Sequence, residues 1–240
     1  MKHTKSIYSA LMWVNIYALA MGFLEAAVVI YLREMYYPTG FTFPLKGMPI
    51  ALVKVEVLRE AATIIMLVAI AMLASKNKWQ RWGYFLLSFA VWDIIYYVGL
   101  KWFYNWPESI FTWDVLFLIP ITWVGPVITP IIIALLMIVL SGYLIMGNHA
   151  NNSLPLIRVE IWSLIIGGII CIISFILDYT QQFIQTQRDI SVDSIFHLSE
   201  SYVPQQFNWA IYGFGIAMMV YGIVHYQIHY YKMIKRNGIS

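Results

Sequence analysis

The stretch Ile50–Ala74 reads IALVKVEVLREAATIIMLVAIAMLA. At 1.5 Å per residue it makes a helix of about 37 Å, longer than the roughly 30 Å hydrocarbon core of a bilayer. Its charges do not scatter. Glu56, Arg59 and Glu60 fall with Thr63 on one face, because residues three and four apart stand above one another on a helix. Lys54 falls on nearly the opposite side, close enough to the helix end to snorkel to the interface. The stretch therefore reads as a membrane span that carries a polar stripe.

Five further candidate spans follow on either side: Tyr8–Leu32, Trp82–Tyr104, Pro126–Met146, Ile157–Thr180 and Asn208–Tyr231. The composition agrees. Apolar residues make up 61% of the 240 and charged residues 11%, against roughly 45–50% and about 25% in soluble domains. Lipid can cover that much apolar surface and a soluble fold cannot. The expectation is an all-α polytopic membrane protein of about six spans, forming one transmembrane domain over residues 1–240. The first run is too long for a signal h-region and carries Glu25, so it reads as a retained helix. Cys171 is the single cysteine, which leaves no disulfide framework and no cysteine metal cluster.

Basic residues give the expected orientation. Nine (Lys2, Lys5, Lys76, Lys78, Arg81, Arg158, Lys232, Lys235, Arg236) fall on the side of the termini, and four (Arg33, Lys46, Lys101, Arg188) on the other. The positive-inside rule then places both termini in the cytoplasm, with a bacterial inner membrane as the expected location. The net charge of +3 is explained by this topology and requires no nucleic-acid partner.

Two segments on the outward side stand out. Arg33–Pro49 is rich in proline and aromatic residues and reads as a structured cap; Gln181–Phe207 is the one long polar stretch and reads as an external segment or lid. Trp113–Gly125 is apolar but bounded by Pro120 and Pro126. It is expected to form a short outer half-helix, then a break. The fourth span would start near Thr129 and Pro130, residue types suited to N-cap and first helical positions. Such a start would aim its positive dipole end outward, where an anionic group can bind.

The first span carries Asn15, Ala18, Gly22 and Glu25 as a second stripe, and Ala18, Gly22 and Ala26 are small enough for close helix approach. The third carries Asp93, with Tyr96 and Tyr97 one turn on. With the inferred topology, Glu25, Glu56, Arg59 and Glu60 lie in the outer halves of their helices and Asp93 near the middle, beside Tyr97. Lys54, Lys101, Asp114 and Asp178 are expected at the outer rim. A charge at mid-membrane costs about 2.5–3.5 kcal/mol on insertion scales, so these groups must pair, face inward or line a wet cavity. Carboxylates outnumber bases, which leaves room for protonation or for a bound cation. The plainer alternative is a buried ion network that only sets helix register.

Weaker signals concern metals. His225 and His229 are four apart on the sixth span, with Glu160 the nearest plausible partner, but an aromatic and basic interface belt explains them as well. Asp193, His197 and Glu200 follow Asp189 at helical spacing in the external segment, and three carboxylates with one histidine suit a divalent cation. The solvated face of an amphipathic helix is the plainer reading. No cofactor is strongly implied; a divalent metal is the one candidate. No hydrolase elbow, P-loop, zinc-protease or dinucleotide motif occurs.

The leading functional expectation is an outward-facing charged pocket that binds a small polar ligand or ion, for transport or coupling. One alternative is a membrane enzyme using the same carboxylates for acid–base or metal-assisted chemistry. The other is a non-catalytic subunit or assembly factor, with other membrane subunits as partners beside the lipid bilayer.

Overall fold

The computed structural model describes residues 2–119, 121–148, 154–186 and 202–236. In chain order these form α1 (Lys2–Tyr36), α2 (Ile50–Ala74), α3 (Lys78–Tyr104), β1 (Trp113–Phe117), β2 (Trp123–Pro126), α4 (Ile128–Gly147), α5 (Arg158–Thr186) and α6 (Trp209–Arg236). Among the described residues, six helices are long and apolar enough to cross a membrane, the architecture of a multi-pass membrane protein. Each overlaps its expected span, with ends shifted by up to six residues.

Small residues set the tightest crossings. α3 packs against α1 on one side and α4 on the other, and α5 pairs with α6. A Cβ added at Gly22 would stand 2.6 Å from the Trp92 carbonyl oxygen, and one at Gly99 would stand 2.7 Å from the Ala26 Cβ. The Ala18–Gly22–Ala26 stripe thus lets α1 and α3 approach backbone to backbone, the packing available where water supplies no hydrophobic drive between helices. α5 and α6 meet in the same way, with Gly215 against the Gly167 carbonyl and Cys171. By contrast α2 leans on α3 and touches α1 only lightly. That loose seam leaves room between α1 and α2.

The turn between α2 and α3 is tightly bonded. Asn77 caps α3, its Oδ1 accepting from the Trp79 and Gln80 amides at 2.8 and 3.1 Å. Gln80 Nε2 in turn donates to the Ile145 carbonyl at the end of α4.

The fourth span corrects the sequence reading. Trp113–Pro126 is not a half-helix followed by a break. It is an antiparallel hairpin pairing Trp113 with Pro126, Asp114 with Gly125 and Val115 with Val124, with an irregularity between Val115 and Phe117. The aromatic and β-branched residues of this stretch suit strands, and protein covers Asp114, Val124, Gly125 and Pro126 while the rest of the hairpin is half-buried. β2 lies on α5, where Gly125 faces Phe175 and Phe207. Open strand edges are excluded from lipid but tolerated when protein covers them. Nor does Thr129 cap α4. Val127 occupies the cap position, and the Thr129 hydroxyl donates back to the Pro126 carbonyl at 2.7 Å.

The Arg33–Pro49 segment folds over the hairpin end of the bundle. A run of edge-to-face rings, Tyr37 to Phe41, Phe41 to Trp106 and Phe43 to Tyr202, ties it down. At the opposite end Asn148 bonds the Leu144 and Leu154 carbonyls and the Leu154 amide, closing the end of α4 onto the approach to α5.

Candidate functional site

The polar stripe of α2 faces the bundle. Val53, Glu56, Glu60, Thr63, Leu67 and Ala71 form its buried edge, the repeat of three and four expected of one helix face. Arg59 reaches sideways from this stripe. Its Nε and Nη2 meet Glu56 Oε2 at 2.9 and 2.8 Å, and its Nη1 pairs with Glu25 of α1. Thr63 donates to the Arg59 carbonyl. Glu60 takes a different partner, accepting from the Leu118 amide just beyond β1 at 2.9 Å. One carboxylate of α2 thus holds a guanidinium, and the next holds the hairpin.

A second ion pair lies nearer the hairpin end. Arg33 of α1 donates to Asp114 Oδ1 at 2.8 Å, and both side chains are nearly inaccessible, at 5% and 1% exposure. The guanidinium stacks on Trp106 at 3.7 Å and on Phe41 at 4.2 Å. Asp114 also meets the Tyr96 hydroxyl at 3.4 Å and accepts from the Val115 amide. Burial pushes the Asp114 carboxyl above the usual carboxylate range, with the Arg33 guanidinium pulling the other way.

Two adjoining cavities connect these groups. The larger, about 410 Å³, runs between α1, α2, the Arg33–Pro49 segment and the hairpin. Val29, Leu32, Val53, Val57 and Leu118 give it apolar walls, while Arg33, Lys46, Glu56, Arg59, Glu60 and Asp114 supply charge. The smaller, about 70 Å³, is bounded by Glu25, Arg59, Glu60, Asp93, Tyr96 and Tyr97. Arg59 and Glu60 belong to both walls. The larger volume is that of a small-molecule pocket and the smaller that of a few waters or an ion with its hydration.

Of the residues expected in the pocket, Glu25, Glu56, Arg59, Glu60, Asp93 and Tyr97 all line one or both cavities. The expected rim does not assemble. Asp114 is buried inside rather than set at an edge, because Arg33 compensates its charge there. Lys54 is exposed on the far face of α2, and Lys101 is exposed and donates to the Pro107 carbonyl at 3.0 Å. Asp178 clamps the chain ahead of α6, accepting from the Tyr202 hydroxyl at 2.6 Å and from Gln182 at 3.1 Å. None of these three borders either cavity.

The histidine signals resolve differently. His225 Nδ1 lies 2.9 Å and His229 Nδ1 3.6 Å from the same oxygen of Glu160, a carboxylate with no exposed surface. Glu160 Oε2 accepts from the Ile157 amide, so it also caps the start of α5. Among the described residues no group of three histidine, cysteine, aspartate or glutamate side chains is arranged to hold a metal. Asp193, His197 and Glu200 lie outside the described residues.

Sequence reasoning missed Arg33, Lys46 and the hairpin residues other than Asp114. A signal was present for Arg33, which stands eight residues beyond Glu25 and so on the same face of α1. Its place at the helix end makes it read as a topology charge, outside the pocket. Nothing in the local pattern marks the hairpin amide of Leu118 as the partner of Glu60, because backbone donors carry no side-chain signature. No protein-family model, curated protein or solved structure matches the chain.

Proposed function

We propose that this protein binds a small polar ligand or ion in the cavities between α1, α2, α3 and the hairpin, and that binding serves transport or coupling across the membrane. The observation that carries this reading is the pair of adjoining cavities whose shared wall is Arg59 and Glu60. Four carboxylates, Glu25, Glu56, Glu60 and Asp93, stand around one arginine there. A low-dielectric site cannot hold that many bare negative charges, so protons or a cation must balance them. Glu60 borders both spaces, and a change in its charge acts on both. The bias of basic residues toward the termini supports an outward-facing opening.

The test is water access from a known side. The Cys171→Ala protein carrying Val57→Cys places a single thiol in the larger cavity. A charged, membrane-impermeant thiol reagent should label it on intact cells and fail on sealed inside-out vesicles. The reverse pattern overturns the orientation. Labelling from neither side, with full labelling after denaturation, means a sealed network. That result sinks ligand handling and leaves the non-catalytic subunit as the surviving reading.

A further inference from the structure

The larger cavity joins a basic mouth to apolar walls. Arg33 stands three residues before the end of α1, and Lys46 lies in the segment folded over that end. Among the described residues, Lys46 has no carboxylate within 4.0 Å; its ammonium lies 5.6 Å from the Tyr37 ring. Arg33 Nη1 is buried and has no hydrogen-bond partner, although its other terminal nitrogen holds Asp114. The carboxylates on the same walls are engaged: Asp114 by Arg33, Glu56 by Arg59, and Glu60 by the Leu118 amide. Glu60 also stands ten residues into α2, about 15 Å along its axis from the mouth. The unmatched charge near the mouth is therefore positive. Below it the walls are Leu32, Val53 and Val57, at the seam where α1 and α2 touch only lightly.

From this gradient we infer that the larger cavity takes an anionic amphiphile, a phosphate or carboxylate headgroup on a hydrocarbon chain. The inference rests on the reading of this cavity as a ligand site and goes beyond the small polar ligand proposed there. The headgroup lies against Lys46 and Arg33, where a charge-assisted bond satisfies the spare guanidinium donor. The chain lies against the valines and leucines between α1 and α2, the side from which a membrane-dissolved molecule enters without crossing water. A headgroup without a chain would fill only the mouth of the cavity, and a neutral lipid would forgo the attraction of Lys46, which is exposed there.

The experiment is native mass spectrometry of the full chain in a nonionic detergent. It is titrated in separate arms with phosphatidylglycerol, palmitate, dodecyl phosphate and, as the neutral control, phosphatidylcholine. One equivalent of an anionic amphiphile should be retained at least about tenfold more tightly than phosphatidylcholine. Preference for phosphatidylglycerol identifies a membrane lipid as the source; preference for palmitate or dodecyl phosphate identifies a free single-chain acid. Lys46→Gln should weaken binding about fivefold, the scale of a partly exposed ion pair. Val57→Trp, which fills the cavity, should abolish it. Equal retention of phosphatidylcholine overturns the anionic headgroup. No retention of any amphiphile, with the Val57→Cys thiol still labelled, overturns the amphiphile and leaves the pocket reading standing. Loss of both overturns the two together.

Discussion

Arg59 is held by two carboxylates from two helices, so its loss strands two acidic groups at once. Replacing it by methionine leaves Glu25 and Glu56 buried without their cation. Breaking one partner of a buried pair costs about 3–5 kcal/mol; Arg59 is one-fifth exposed, so about 3 kcal/mol is expected. Thermal unfolding in detergent should show the loss, and Glu25→Gln combined with Arg59→Met should recover part of it. A double variant no more stable than Arg59→Met alone would mean that Glu25 is not the charge being balanced. Asp114→Asn tests the other pair. It keeps an acceptor for the Val115 amide but strips Arg33 of its counter-ion within an aromatic cage, at a cost of about 2–3 kcal/mol. An unchanged unfolding temperature would show that stacking on Trp106 and Phe41 suffices.

Among the elements, the glycines separate crossings from free surface. Gly215→Ala would put a methyl 2.7 Å from the Cys171 sulfur and 2.8 Å from the Gly167 carbonyl oxygen. Backbone cannot step aside as a flexible side chain can, so α5 and α6 must part, and about 1–3 kcal/mol should be lost. Gly142→Ala meets nothing within 4 Å, inside α4 and more than a turn from its end. There alanine should raise stability by about 0.5–1 kcal/mol, through helix propensity alone. Unfolding of the two variants side by side checks the contrast; equal shifts would mean that the α5–α6 seam is looser than described. The hairpin shows a limit of pattern reading. Prolines and apolar residues in Trp113–Pro126 suited a broken helix, but strand pairing satisfies the backbone there, and Glu60 satisfies the Leu118 amide beside it. Local sequence could not choose between these solutions, since the choice depends on partners some sixty residues away.

At the scale of the molecule, the alternation of the six spanning helices among the described residues puts the hairpin, the Arg33–Pro49 segment and both cavities at one end, and the Ser75–Asn77 turn at the other. The distribution of basic residues predicts which end faces the cytoplasm. A reporter that is fluorescent only in the cytoplasm should give signal when fused after Ser75 and none when fused after Asn105. The opposite result would place the cavities on the cytoplasmic side. The number of helices, their approximate ends and the faces that carry charge were legible in the chain, because apolar length and helical periodicity are local properties. Glu56, Arg59 and Glu60 could be read as one stripe, and Glu25 and Asp93 as its neighbours in depth. That Arg59 pairs with a carboxylate of its own stripe and one of a neighbouring helix could be read; the choice of Glu56 over Glu60, the Arg33–Asp114 pair, and how a cavity opens between α1 and α2 could not. Those outcomes depend on how closely small residues let each pair of helices approach. They depend also on a backbone amide meeting a carboxylate, and on a burial that drew Arg33 and Asp114 inward as a pair, all of which arise only when distant segments share one low-dielectric space.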